Sequence, residues 1–189
     1  AVPDLARLLK SEIPDERRGA AGLLGRIGPG AEIAIPDLLT ILKNADPALR
    51  SIAVQSLGKI GLLTPEVLPA LLASLKDEQI EVRKNVIAAL HDGGFASPDI
   101  AAALSDALHR EKDPALSLEM AEYLGDVDPD RTEVMDCCRK ALRSPPAFDP
   151  SPENLTYWTF HLLVEHIAEL GIKGRSMADD LRAAMATTQ

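Results

Sequence analysis

The feature that most constrains this chain is that it repeats itself every 33 residues. The segments AVPDLARLLK (1–10), AIPDLLTILK (34–43) and VLPALLASLK (67–76) superimpose, placing Pro3, Pro36 and Pro69, and likewise Lys10, Lys43 and Lys76, at intervals of 33. IAAALSDALH (100–109) continues the register with Ala102 in place of proline. The second halves superimpose as well. DERRGAAGLLGRIG (15–28), ALRSIAVQSLGKIG (48–61) and EVRKNVIAALHDGG (81–94) bring Arg17, Arg50 and Arg83 into line, and Leu24, Leu57 and Leu90 with them. A period of this length marks a supersecondary unit that cannot bury its apolar face alone and must stack on copies of itself.

The register sets the expected boundaries. Regular repeats run 1–33, 34–66, 67–99 and 100–128, the fourth slipped by one residue, and an irregular C-terminal repeat and cap fill 129–189. The irregular unit carries a long connection, LRSPPAFDPSPENL, and the closing MADDLRAAM resembles one more first helix without its partner. The expectation is a single domain, 1–189, of about five and a half helical hairpins. Residue 1 falls inside a repeat, so the chain reads as a piece of something longer and its compartment cannot be read from a leader.

Each unit reads as two helices. Ile35, Leu38, Leu39 and Leu42 follow the i, i+3, i+4, i+7 spacing of one buried stripe, and Leu49, Ala53, Leu57 and Ile60 recur at helical spacing in the partner helix. Asp46-Pro47, Thr64-Pro65, Ser97-Pro98, Asp113-Pro114 and Ser151-Pro152 each pair an N-capping residue with proline at the first helical position. Gly28, Gly61, Gly94 and Gly171 stand where second helices should stop, as glycine does in left-handed C-caps. Pro36 and Pro69 fall slightly inside their helices and are expected to bend them near the first turn. No stretch alternates with period two, so no strands are expected.

The unit IPDLLTILKNADPALRSIAVQSLGKIG resembles a short HEAT repeat of the bacterial HEAT-like type: proline early in the first helix, Asp-Pro between helices, a leucine–glycine pair ending the second. The resemblance covers residues 1–128 well and 129–189 loosely. It implies an all-α fold, a right-handed α-α superhelix or α-solenoid of the armadillo/HEAT kind, with second helices lining a concave face. It also implies a scaffold that binds another protein or peptide. Ankyrin repeats share the period, but their Thr-Pro-Leu-His opening is absent; tetratricopeptide units want aromatics at set positions, and aromatics make up 3% of this chain.

On the second helices, the stripe facing away from the core carries Arg18, Gly22 and Arg26, then Ser51, Gln55 and Lys59, then Lys84, Ala88 and Asp92. Four of its five charges are positive, in a chain whose net charge is −9. The strip reads either as a solvated face or as a contact for an acidic segment of a protein partner. Arg17, Arg50 and Arg83 recur nearer the core and read as structural, pairing with acidic or carbonyl groups at the turns and holding neighbouring repeats in register. Tyr157, Trp158 and Phe160 cluster within four positions, with His161 next to them; they read as a cap with core packing, or as an aromatic hot spot for a partner.

Charge and motifs exclude most other classes. Residues 1–95 carry 11 basic against 12 acidic side chains, and residues 96–189 carry 9 against 17. A chain this acidic repels a phosphate backbone and an anionic membrane surface, so neither nucleic acid nor membrane is an expected partner. No apolar run approaches the roughly 18–20 residues that span a bilayer. Cys137 and Cys138 are neighbours and read as helical thiols. His161 and His166 are five apart and point roughly 140° from each other on a helix, so they do not chelate together. No His-Glu dipeptide is present, and GRIGPG (25–30) reads as a helix end and a turn. No catalytic, cofactor or metal residues are assigned. The nearest enzymatic alternative comes from the resemblance alone: phycobilin lyases share this short repeat, which would make the chain a lyase-like or regulatory subunit.

Overall fold

A computed structural model describes residues 1–44, 46–61 and 64–128. Among them are eight α-helices, one 3-10 segment and no strand. The helices pair as the register predicts: α1 (Val2–Leu8) with α2 (Pro14–Ile27), α3 (Ile35–Ile41) with α4 (Pro47–Gly61), α5 (Val67–Ser74) with α6 (Ile80–Asp92), and α7 (Pro98–Leu108) with α8 (Pro114–Val127). The chain divides into two compact units, one of residues 1–95 holding the first three hairpins and one beginning at Ala96 with the fourth.

The caps explain where several helices begin. The Asp46 carboxylate accepts from the Ala48 N–H at 3.0 Å, and the Asp113 carboxylate accepts from Leu116 N–H at 2.9 Å. Ser97 Oγ accepts from Ile100 N–H at 3.3 Å. Each satisfies one of the donors that a first turn leaves without an intrahelical acceptor. Thr64-Pro65 does not behave this way. Helix α5 starts at Val67, and the Thr64 hydroxyl donates backwards to the Gly61 carbonyl at 2.9 Å, closing the turn between α4 and α5 instead. Ser151-Pro152 lies outside the described residues.

Helix ends depart from expectation in a similar, local way. Gly28 and Gly94 take positive φ, 71° and 63°, just past α2 and α6. Gly61 ends α4 without it, because the turn closed by Thr64 continues from a helical residue. Gly171 lies outside the described residues. Pro3, Pro36 and Pro69 are the second, second and third residues of α1, α3 and α5. Within a first turn proline removes only a donor that has no helical acceptor, so no intrahelical hydrogen bond is lost at these positions. The turn expected at GRIGPG is longer than its sequence suggests: Gly28–Ala34 forms a 3-10 segment, broken at Ala31, that leads straight into α3.

The core is aliphatic. Leu49, Ala53, Leu57 and Ile60 of α4 are all buried, as are Leu24 of α2 and Leu90 of α6 in the same register. In α3 the buried stripe is Ile35, Leu38 and Ile41; Leu39 and Leu42 are half-buried, so the stripe lies slightly to one side of the expected one. The second helices pack side by side, α2 on α4 and α4 on α6. They come close because the seam between them is lined with very small residues. A Cβ on Gly25 would stand 2.6 Å from Ser56 Oγ and 2.9 Å from Ser56 Cα; a Cβ on Gly58 would stand 2.7 Å from Ala89 Cβ. These pairs are themselves 33 residues apart, so the seam is a repeated feature. Ser56 Oγ donates to the Ala21 carbonyl at 2.8 Å, a buried bond that ties the first joint together.

Candidate protein-interaction surface

Two sets of polar side chains run along unit 1, one beside the turns and one on the outer side of the second helices. The turn-side set consists of the recurrent arginines. Arg17 Nη1 donates to the carbonyls of Ser11 (2.7 Å) and Glu12 (3.1 Å). Arg83 Nη1 does the same to Asp77 (2.8 Å) and Glu78 (3.1 Å), and Arg50 Nη1 donates to the Asn44 carbonyl (2.8 Å). Each guanidinium thus closes the turn of its own hairpin, the structural role expected of it.

Arg50 also reaches into the next repeat. Its Nε and Nη2 donate to Asp77 Oδ2 and Oδ1 at 2.7 and 2.8 Å, a two-pronged pair whose side chains are 15% and 11% exposed. Burial pushes the Asp77 carboxyl up. The Arg50 hydrogen bonds, the Gln79 N–H and the charges of Arg50 and Arg83 outweigh that and hold it below the usual carboxylate range.

The outer set is the sequence-predicted strip. None of Arg18, Gly22, Arg26, Ser51, Gln55, Lys59, Lys84, Ala88 and Asp92 is buried. They are not equivalent, however. Arg18 is clasped by Asp15 of its own helix and by Asp46 of the next repeat, the latter at 2.9 Å. Asp46 sits below its ordinary range. Burial raises it, but the Leu49 and Ala48 N–H groups and then Arg18 lower it further. Gln55 Nε2 donates to Asn85 Oδ1 at 2.9 Å, and Asn85 Nδ2 donates in turn to Ser51 Oγ, so these three form a relay from α4 to α6. Lys84 lies 3.8 Å from Glu81 on its own helix. Arg26 and Lys59 are exposed, and among the described residues neither forms an ion pair. They occupy the same register position, 33 residues apart.

Spacing within one helix could not show that Arg18 is used internally, because its partner Asp46 lies 28 residues on and is brought near only by stacking. Tyr157, Trp158 and His161 lie outside the described residues, as do Cys137 and Cys138. Among the described residues no group of three metal-ligating side chains occurs, and no helix is long and apolar enough to cross a membrane.

Comparison with known proteins agrees with this architecture. The family of HEAT repeats matches residues 2–91, so this stretch, the first three hairpins, is a HEAT-like repeat array. The whole chain is similar to the crystal structure of an engineered protein from a structural genomics consortium, at 18% identity and a TM-score of 0.52, over 98% of this chain and 96% of that one. At that identity the likeness concerns the fold alone, an all-helical α-solenoid. No curated protein matches the sequence. HEAT repeats are generally non-enzymatic scaffolds that mediate protein interactions.

Proposed function

We propose that the chain is a non-catalytic protein-interaction module whose partner lands on the outer side of α2, α4 and α6. The observation that carries this reading is the division of labour among the cations of unit 1. Arg17, Arg50 and Arg83 close turns and Arg18 is clasped across a joint, while Arg26 and Lys59 stand exposed at one register position on neighbouring second helices. Two unneutralised cations repeated along an exposed helical face are complementary to an acidic segment of a protein or peptide. The reading takes residues 1–189 as one repeat domain, supported by the α7–α8 hairpin, which continues the helix–turn–helix pattern.

The test follows from the same division. A photo-crosslinking residue at Gln55 should capture a partner from cells, and Arg26→Glu/Lys59→Glu should abolish the adduct. Arg7→Glu/Lys43→Glu, on α1 and in the turn after α3, should leave it intact. An adduct indifferent to the first pair, or lost equally with the second, would refute the assignment of this face.

A further inference from the structure

Among the described residues, every large apolar side chain that stands exposed belongs to the first hairpin or the segment just after it: Leu8, Ile13, Leu23, Ile27 and Ile33. The repeat register accounts for three of them. One repeat on, Leu8 becomes Ile41, Leu23 becomes Ser56 and Ile27 becomes Ile60, and these are 6%, 2% and 2% exposed. Ile41 faces the first hairpin across a cleft that it lines with Leu9 and Arg17, and Ser56 Oγ bonds to the Ala21 carbonyl of α2. Leu8, Leu23 and Ile27 thus hold positions that a neighbouring hairpin covers one repeat later. They mark a second stacking face, on the side of α2 away from α4.

An exposed apolar face of this kind favours an apolar partner. The seams inside unit 1 show that the partner is not a hairpin packed as those are. Ser56 and Ala89 stand so close to Gly25 and Gly58 that no added Cβ fits between them. Leucine at the same register position, residue 23, has no room in a seam so narrow. It needs a hole, and α2 carries one. Gly19, one turn before Leu23 on the same exposed row, has no atom within 4 Å of its would-be Cβ. A helix with both knob and hole is complementary to a twofold copy of itself. Gly19 and Leu23 lie two residues to either side of Ala21, so antiparallel pairing at that level sets each Leu23 over the other copy's Gly19. The charges agree with this alignment. Glu16, whose Oε2 accepts from the Ser11 hydroxyl, and Arg26 are both exposed and lie five residues to either side of Ala21. The acidic start of each helix therefore lies level with the basic end of the other.

We propose that the open end of the first hairpin is a homodimer interface, with α2 antiparallel to α2 of a second copy about a twofold axis at the level of Ala21. Leu23 of each copy seats over Gly19 of the other, and Ile27 and Leu8 are covered beside them. The pairing does not rest on the partner reading above. Arg26 borders both surfaces, so a second copy and the acidic partner compete for that charge.

Sedimentation equilibrium of the full chain between about 1 μM and 1 mM reads the association. The expected result is a monomer–dimer equilibrium with no larger species. Leu23→Lys should leave a monomer with an unchanged circular dichroism spectrum. Gly19→Leu should do the same while raising the stability of the single chain, because leucine is the better helix former. Glu16→Arg and Arg26→Glu should each weaken the dimer by roughly tenfold, since each reversal acts at two symmetric contacts. Mixed in equal amounts, these two variants should pair with each other, because one chain is then basic at both ends of α2 and the other acidic. A monomer throughout, or a mass that climbs beyond two chains as head-to-tail stacking would give, would overturn the proposal. So would a dimer untouched by Leu23→Lys, or no pairing of the mixed variants.

Discussion

The seam between second helices makes opposite predictions for three glycine-to-alanine substitutions that look alike in sequence. All three positions are helical, so each gains about 0.5–1 kcal/mol from the lower entropy of the unfolded chain and the better helix propensity of alanine. Gly19 has no atom within 4 Å of its would-be Cβ, so Gly19→Ala should stabilise by that amount. At Gly58 the new methyl stands 2.7 Å from Ala89 Cβ. Carbon atoms rest about 3.5–4.0 Å apart, so α4 and α6 must separate locally by about 1 Å. Overpacking of this kind costs about 1–3 kcal/mol, which exceeds the propensity gain and leaves Gly58→Ala destabilising by about 0.5–2 kcal/mol. Gly25→Ala should cost more, because it meets the Ser56 backbone at 2.9 Å and displaces the hydroxyl that holds the Ala21 carbonyl. Urea denaturation followed by circular dichroism at constant m gives the three values. Ala89→Gly in the Gly58→Ala background should restore more than 1 kcal/mol relative to additivity. Should Gly58→Ala stabilise as much as Gly19→Ala, the close approach of these helices would be wrong.

Other consequences can be checked alongside. At the first joint Asn44 stands 27 residues after Arg17, as Asp77 does after Arg50, and among the described residues Arg17 Nε is buried without a hydrogen-bond partner. Asp77→Asn recreates that mismatch at the second joint and should destabilise by about 1–3 kcal/mol at neutral pH, as measured by urea denaturation. Because the folded Asp77 and Asp46 carboxyls are held below their ordinary range, their contribution is complete above the unfolded value of about 4 and is lost as pH falls through the lower folded values. The parent should therefore lose stability below about pH 4, and Asp77→Asn should lose less over that interval. Asn44→Asp should stabilise by about 1 kcal/mol at neutral pH by giving Arg17 Nε an acceptor, with the gain disappearing in acid; a neutral or destabilising result would argue against the shared register. Ile27 is 42% exposed and its register mate Ile60 only 2%, so Ile27→Ala should cost under 1 kcal/mol and Ile60→Ala about 2–4 in the same assay.

The fold was legible because its evidence is periodic. Pro3, Pro36 and Pro69 and the Arg17 series state the repeat length, and the alternation of apolar stripes gives two helices per repeat. Asp46, Ser97 and Asp113 could be read as caps since capping is local. Thr64 was misread for the same reason: its neighbours resemble a cap, but the helix starts three residues later. The candidate surface was half legible. Outward positions follow from helical spacing, and all nine strip residues are indeed unburied. Which of them are engaged depends on the offset between neighbouring hairpins, and no spacing inside one helix encodes that. Arg18 reaching Asp46, the Gln55–Asn85–Ser51 relay and the mismatch of Arg17 with Asn44 are all products of that offset. The Gly25–Ser56 and Gly58–Ala89 seam had a trace in composition, a core of small aliphatics, but its location did not.

The two joints of unit 1 are built to one pattern and fastened differently. The first has two ion pairs that are partly open to water, Arg18–Asp46 and Lys10–Asp37, and a buried hydroxyl bond; the second has a shielded two-pronged pair and a three-residue amide–hydroxyl relay. Elements in series share the same load but not the same strain, and the softer one takes most of the deformation. Added salt weakens pairs open to water more than shielded ones, so it would soften the joint between α2 and α4 before the one between α4 and α6. Nearly identical modules thus acquire a fixed order of yielding from the choice of a few side chains at their seams.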